Sequence, residues 1–579
     1  MKSSSSLAPG VVFGLASVLL ALVWVFLRLG MVHLTDVGDH AARAQRLQSF
    51  PPSVVRDKRG AILDRHGRLL AHTESLPTVA LDPSLLDEPF AAIRILEDEL
   101  QIPEEEIRER LRSGGRRFSY LRRRIRDRAA VERVAARAKA AGILGIIVQE
   151  EPVRVYPCGA TAAHLLGFTN RNGTGVEGLE ALLDRRLKGR PGQRTTRRDG
   201  LGRRIVMGVS QRAQSVRGES VRLTLDLPIQ TFAENAVEAT FTKHHPKGAI
   251  AAVLDVKTGE LLALAVRPNF DPNDAGRFGP EMRRNRFFTD ALPPGSTFKP
   301  LVMGLALDAG LVLPDEGFDC SGGFIKIGRR RIREDNHHDY GHLTAAGVIA
   351  QSSNVGMVQV GTRLGIQNLY AGVRLMGFGS NVVTRWPGQT AGIVNRLSLW
   401  NDTWTVPSVS IGQEISVTSA QLLAAYGAVA AGGVHRPLRL VLDEEERPSH
   451  RVISPEAASD LLPMLAEVMT SGTGRHAAID EYRLGGKTGT AQKFHGPDIV
   501  GHIGSFVCVG PLENPRLAVI VLCDEPEGRG YGSQVGAPYA VDLIRRSLRY
   551  LGVPASPRGV GADKGGRPLD AHYEEALAR

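Results

Sequence analysis

Cysteine is scarce here, with four in 579 residues. So few in so long a chain cannot form a disulfide framework. Cys158, Cys320, Cys508 and Cys523 show no CxxC or other metal-ligand spacing, so no metal site is expected. Cys508 and Cys523 fall on two strand-like runs around a turn at 511–515. Folding there sets Cys508 opposite about position 518 rather than 523, which predicts free thiols. The 64 glycines and 33 prolines follow no G-X-Y period, which excludes a collagen-like rod, and no internal repeat is present. Charge is modest too: the net +11 is small for this length, although residues 108–128 carry ten arginines, which read as a solvated helix face. After Leu27 the uncharged runs of similar length, such as 340–362, are broken by Gln, Ser and Asn and do not read as a second span.

What is present is an ordinary globular composition, 42% hydrophobic and 23% charged, which excludes disorder throughout. At about 150 residues per domain the length implies several domains, or one large domain with additions. Residues 7–27 form one uncharged stretch of 21, enough at about 1.5 Å per residue to cross about 30 Å of hydrocarbon. A cleaved signal peptide has a shorter apolar region, and the nearest Ala-x-Ala, at 42–44, lies too far downstream, so an uncleaved membrane helix is expected. Lys and Arg flanks favour the body of the chain inside, yet large domains translocate largely regardless of such charges, so charge does not settle the topology.

Residues 1–30 therefore read as a short tail and membrane helix, and 31–50 as a polar stalk. Residues 51–215 alternate short strands with basic helices. A hairpin is expected over 56–71 around His66-Gly67, and a helix from about Glu177 to a Pro-Gly stop at 191–192. From Ser220 the pattern changes. Residues 221–225 are strand-like, 228–243 fit a helix with Pro in its first turn, and 249–254 and 260–266 are apolar strands joined by a tight turn. Helices rich in Ala, Leu and Gly fill 300–440. Strands return at 483–493, 503–510 and 516–523, closing an α+β domain over 217–552. Residues 555–579 read as a disordered tail.

Three short motifs carry chemistry. Ser296, in Pro294-Gly295-Ser296-Thr297-Phe298-Lys299-Pro300, opens an apolar helix whose positive end favours an oxyanion. Lys299 lies three residues on, on the same face, within reach of the serine oxygen, and desolvation would lower its pKa enough for it to act as a base. Ser352-Ser353-Asn354 interrupts a helical stretch and exposes a hydroxyl and an amide. In the strand-like run Lys487-Thr488-Gly489-Thr490, glycine admits close approach of a ligand backbone, and the lysine and threonines suit a carboxylate. Each alone is common; together, in this order and with gaps of 56 and 135 residues, they form a specific combination.

On these motifs the sequence resembles the penicillin-binding transpeptidases, specifically the monofunctional class B kind. The resemblance covers 51–550. RGAILDRHGRLLA (59–71), RVYPCGATAAHLLGF (154–168), GVEGLEALLD (175–184) and LTLDLPIQ (223–230) are similar to the family's non-catalytic, dimerisation-type pedestal and its join to the catalytic domain. RNRFFTDALPPGSTFKP (284–300), DYGHLTAAGVIAQSSNVGM (339–357) and GGKTGTAQK (485–493) resemble the division-type, FtsI-like branch. The resemblance implies a single-pass inner-membrane protein with its body outside the cytoplasm. It also implies an elongated pedestal and a serine β-lactamase-like catalytic domain of antiparallel sheet and helices.

Position by position, it implies Ser296 as nucleophile, Lys299 as its base and Ser352 as a proton relay. Asn354 would hold the donor peptide. Lys487, Thr488, Gly489 and Thr490 would bind its carboxylate, with Lys487 also part of the catalytic group. The oxyanion hole would be the N–H groups of Ser296 and Thr490. No cofactor is implied. The partners would be peptidoglycan stem peptides, β-lactams as inhibitors, a SEDS-type glycan polymerase and divisome proteins, with no nucleic acid.

The activity implied is D,D-transpeptidation in septal wall synthesis, with elongation or sporulation as alternatives. A class A β-lactamase is disfavoured, because between 355 and 486 no Glu is followed four residues later by Asn. A β-lactam-sensing receptor would carry additional spans, and a silent scaffold would have lost a motif residue. No nucleophile–base constellation is found in 51–215.

Overall fold

A computed structural model describes residues 9–34, 53–55, 58–86, 88–113, 118–190, 192–198, 204–213, 215–383, 385–445, 447–495, 498–528 and 530–557. They form two compact units, Met1–Lys58 with Gly189–Gly218, and Arg59–Lys188 with Glu219–Arg579. The first holds a helix, Pro9–Leu34, and an antiparallel sheet of Ser53–Val55, Gly192–Arg198 and Arg204–Ala213 in that order. Among the described residues this helix is the one long and apolar enough to cross a membrane, over Gly10–Met31. The helix runs past the uncharged stretch, through Arg28, into residues 31–34; the rest of the expected stalk, 35–50, and the tail from 558 lie outside the described residues.

In the second unit, the strand Leu69–Leu81 pairs with Ile62–Leu63 as the expected hairpin and with Ser119–Arg122 and Ile146–Val155. Helices Pro89–Leu100, Glu104–Ser113 and Arg128–Ala140 accompany these strands, with Val79, Leu81, Leu96, Leu121 and Val134 in a small core. The arginine run is not one helix face. Arg108 pairs with Glu104 on a helix, Arg122 ends a strand, Arg123 and Arg124 meet Glu151, and Arg128 meets Glu150. The helix expected from Glu177 is two short ones, Gly178–Leu182 and Asp184–Leu187.

The motif stretches 59–71 and 175–184 build a buried ionic lock. Glu180 is fully buried and takes Arg59 Nε on one carboxylate oxygen and Arg154 Nε on the other, both at 2.6 Å. Arg59 also reaches Asp184 at 2.6 Å, and Arg154 donates to the Gly60 carbonyl at 2.7 Å. Burying three charges is tolerated because the guanidinium forks satisfy both carboxylate oxygens. This region is knitted to the rest of the unit. Tyr156 N donates to Asn273 Oδ1 at 3.0 Å, Ala162 N to Glu234 at 2.8 Å, and Asn285 to the His164 carbonyl at 2.9 Å. One apolar cluster runs from Ile62 and Leu70 through Leu179 to Leu254 and Phe298.

The central sheet has five antiparallel strands, β1 (Gly248–Asp255), β2 (Glu260–Arg267), β3 (Gly485–His495), β4 (Asp498–Gly510) and β5 (Leu517–Asp524), in the order β2-β1-β5-β4-β3. Both faces are buried. Ile250, Ala252 and Leu254 of β1 join one apolar cluster and Ala249, Ala251 and Val253 the other, which is why the strand reads as a continuous apolar run. Helices Leu227–His244 and Ala537–Tyr550 cover one face. Helices Lys299–Asp308, Asn354–Leu375, Ser419–Ala430 and Pro455–Thr470 contribute to the cluster on the other.

All four cysteines are free. Cys508 faces Val519, one position from the expected partner, because Arg516 N closes the β4–β5 turn on the Gly510 carbonyl at 3.1 Å and Gly510 pairs with Leu517. Burial pushes the Cys508 and Cys523 thiols up.

Replacing Glu180 by Ala strands two buried guanidinium groups. We expect Glu180→Ala to lower unfolding stability by about 3–5 kcal/mol, read from chemical denaturation; a loss below about 1 kcal/mol would show that the lock contributes no such stability.

Candidate active site

The segment that holds Ser296 is a 3₁₀ turn, Gly295–Phe298, leading into helix Lys299–Asp308, with Pro300 in the first helical turn where its missing N–H costs nothing. Its place is set from several sides. Gly295 N donates to the Gly412 carbonyl at 3.0 Å, Thr297 Oγ1 to the Pro294 carbonyl at 2.7 Å, and the buried Tyr426 hydroxyl to the Thr297 carbonyl at 2.7 Å. Strand β3 closes against the turn so tightly that a Cβ on Gly489 would lie 2.8 Å from Thr297 Cγ2, 3.2 Å from the Pro294 carbonyl and 2.5 Å from Ser505 Oγ. Glycine at 489 is therefore a packing requirement as well as an access point for ligand.

Ser352 falls in the break between helices Ala345–Ala350 and Asn354–Leu375 and has a left-handed backbone, φ +61°. Lys487 and Thr488 lie on β3. The structure thus brings the three motifs together at one cleft of about 1330 Å³, lined by Ser296, Ser352, Asn354, Thr488 and Thr490.

The hydrogen bonds centre on Ser352. Its hydroxyl receives Lys487 Nζ at 2.9 Å and Lys299 Nζ at 3.2 Å. Lys299 also donates to the Ser352 carbonyl at 2.5 Å and to Asn354 Oδ1 at 2.8 Å. The spacing of Ser296 and Lys299 puts the amine within reach of the serine oxygen. Instead Lys299 is held by the Ser-x-Asn segment, and among the described residues no side-chain hydrogen bond engages Ser296. Asn354 is committed as well, since its amide nitrogen donates to the Arg333 carbonyl at 2.8 Å. Thr488 shares a 2.7 Å hydroxyl bond with Thr473, and Thr490 Oγ1 accepts from Gly532 N at 3.3 Å.

Both lysines are almost wholly buried, at 1% and 0% exposure. Desolvation brings Lys299 down to about 7, and Glu334 and Asp335 oppose that fall. Lys487 is lowered well below the usual lysine range, by desolvation first and by the neighbouring Lys299 second. Amines in this state can carry protons to and from a hydroxyl near neutral pH.

Two residues at the site escape the motif reading. Glu334 is buried beneath the Ser-x-Asn segment, and Thr473 backs Thr488. Glu334 sits beyond a small hairpin, Phe324–Ile327 with Arg330–Arg333, that no periodicity announces. Thr473 lies in a Ser-Gly-Thr-Gly stretch where a Cβ on Gly472 would come within 2.4 Å of the Ala350 carbonyl.

The Penicillin binding protein transpeptidase domain family matches residues 249–545, and the Penicillin-binding Protein dimerisation domain family matches 55–223. The chain is 33% identical to the probable peptidoglycan D,D-transpeptidase PenA of Neisseria gonorrhoeae, over 92% of this chain and 90% of the relative. It is 32% identical to stage V sporulation protein D of Bacillus subtilis, over 86% and 79%. Against the peptidoglycan D,D-transpeptidase FtsI of Escherichia coli K12 it is 30% identical, over 93% and 91%.

The chain belongs to the class B penicillin-binding proteins. Among solved structures it resembles penicillin binding protein 3 of Mycobacterium tuberculosis complexed with aztreonam, at TM-score 0.68 and 26% identity, over 87% of this chain and 99% of that one. This class B penicillin-binding protein is a peptidoglycan D,D-transpeptidase, and its one apolar N-terminal helix fits a single-pass membrane protein.

Displacing the Ser296 turn from β3 by a single methyl group tests the geometry. Gly489→Ala is expected to remain folded by circular dichroism yet to lose about 10²-fold in acylation rate by benzylpenicillin. An unchanged rate would mean that the close approach is not needed.

Proposed function

We propose that Ser296 is the nucleophile of this transpeptidase and that Lys299, Ser352 and Lys487 move its protons. The observation that carries this reading is the Ser352 hydroxyl shared by two buried lysines at the cleft that Ser296 lines. Neutral Lys299 takes the Ser296 proton as Oγ attacks the penultimate D-Ala carbonyl of a donor stem. The carbon–nitrogen bond breaks, and Ser352, fed by Lys487, returns a proton to the departing D-Ala. The acceptor amine then attacks the ester and frees Ser296. Thr488 and Thr490 with Lys487 receive the donor carboxylate, Asn354 holds the donor peptide, and the N–H groups of Ser296 and Thr490 form the oxyanion hole.

A β-lactam offers a strained amide and a carboxylate to the same groups and is trapped as an ester. The site of action is septal wall synthesis, in keeping with the motif resemblance to the division-type branch. The body lies outside the cytoplasm, the helix spans the inner membrane, and the partners are a SEDS-type polymerase and divisome proteins. The likeness to stage V sporulation protein D keeps a sporulation role as the second reading. Depletion followed by microscopy separates these, since filaments are expected for the septal role.

Purified protein should gain the mass of one opened benzylpenicillin on the peptide containing Ser296, and Ser296→Ala should abolish it. Lys299→Ala should slow acylation by about 10²–10⁴-fold. An adduct formed at the normal rate by the Ser296→Ala protein would overturn the assignment.

Because Lys299 must be neutral to act, acylation should accelerate as pH rises through about 7. A rate already at its plateau at pH 5 would exclude Lys299 as the base.

A further inference from the structure

Glu334 is 4% exposed, and its carboxylate is spent on one segment. One oxygen accepts the Ser353 hydroxyl and the Val355 N–H, the latter at 3.0 Å; the other accepts the Asn354 N–H at 2.6 Å. Ser353 Oγ in turn accepts from Gly356 N at 2.9 Å. The first three N–H groups of the 22-residue helix Asn354–Leu375 are thus all satisfied by side chains, two of them by a carboxylate reaching in from another part of the chain. An anion at this end also meets the positive pole of the helix. Ser352, directly before the clamped residues, keeps its left-handed backbone, an uncommon state for a non-glycine residue that persists only where its surroundings hold it.

We propose that Glu334 is a positioning residue of the transpeptidase, clamping the Ser353–Val355 backbone so that the Ser352 hydroxyl stands between Lys299 and Lys487. The inference rests on the transpeptidase reading above. Glu334 acts through Ser352 and Lys299. Its negative charge, with that of Asp335, holds the Lys299 amine up against desolvation, while Lys487 is the second titratable amine facing Ser352. Asn354, whose Oδ1 receives Lys299, is fixed by the same carboxylate through its own N–H.

The test measures benzylpenicillin acylation of Ser296 in the full chain against pH, for the wild type, Glu334→Gln and Ser353→Ala. Glu334→Gln removes the charge and one acceptor at nearly constant shape. We expect it to slow acylation about 10–100-fold and to move the acid limb of the profile to lower pH, because Lys299 loses an anion that favours its protonated form. Ser353→Ala keeps the charge, so it should slow acylation and leave the limb in place.

A Glu334→Gln protein with the wild-type rate, or slowed with an unmoved acid limb, overturns the proposal, since a purely structural residue would not shift the limb. If Glu334→Gln fails to fold, Ser353→Ala decides, and a wild-type rate there overturns the clamp. A wild type that is not acylated at Ser296 removes the transpeptidase reading first, and the inference with it.

Discussion

Two lysine amines buried side by side on one serine hydroxyl impose the constraint from which the rest of the site follows. Neither reaches bulk water, so desolvation lowers both amines, and the charge of Lys299 lowers Lys487 further. Such an arrangement is unstable unless every hydrogen is accepted. The Ser352 carbonyl, the Ser352 hydroxyl and Asn354 Oδ1 take those of Lys299, while the Ser352 hydroxyl and the Thr488 carbonyl take Lys487. The left-handed turn at Ser352 presents carbonyl and hydroxyl to the same amine.

Around that centre the fold works by exclusion of side chains. β3 can press on the Ser296 turn because residue 489 has no Cβ, and the Gly412 carbonyl can accept the Gly295 N–H because residue 412 has none either: a Cβ there would lie 2.0 Å from the Gly295 carbonyl oxygen. The reactive segments come from a turn, a helix break and an edge strand, three elements locked by one apolar cluster and the sheet beneath it. Rigidity of this kind suits a site whose hydroxyl and amines must already be in place when substrate arrives.

Much of this was legible in the chain because the signals are local. Ser296 and Lys299 share a turn, Lys487 to Thr490 share a strand, and the helix Leu227–His244 and the β1–β2 hairpin announce themselves by proline and by a tight turn. What escaped depends on contacts distant in sequence. Spacing places Lys299 near Ser296, but its hydrogen bonds go to Ser352 and Asn354, more than fifty residues away. Glu334 looks like one charged residue in a polar stretch until the hairpin Arg330–Arg333 carries it under a helix end. The arginine run misled for a related reason: glutamates that pair with it come from the strand Ile146–Val155, so neither charge pattern is periodic.

The Arg59–Glu180–Arg154 lock has a mechanical side. Arg59 is the first residue of the second unit, so it is the first point at which a pull along the chain from its N-terminal end enters that unit. The load meets two short charged bonds to Glu180 and Asp184, then the pairing of Ile62–Leu63 with Leu69–Ala71 on one side and Val221–Arg222 on the other. A pull at Arg59 thereby loads several bonds at once, at a point far along the chain from the Ser352 turn.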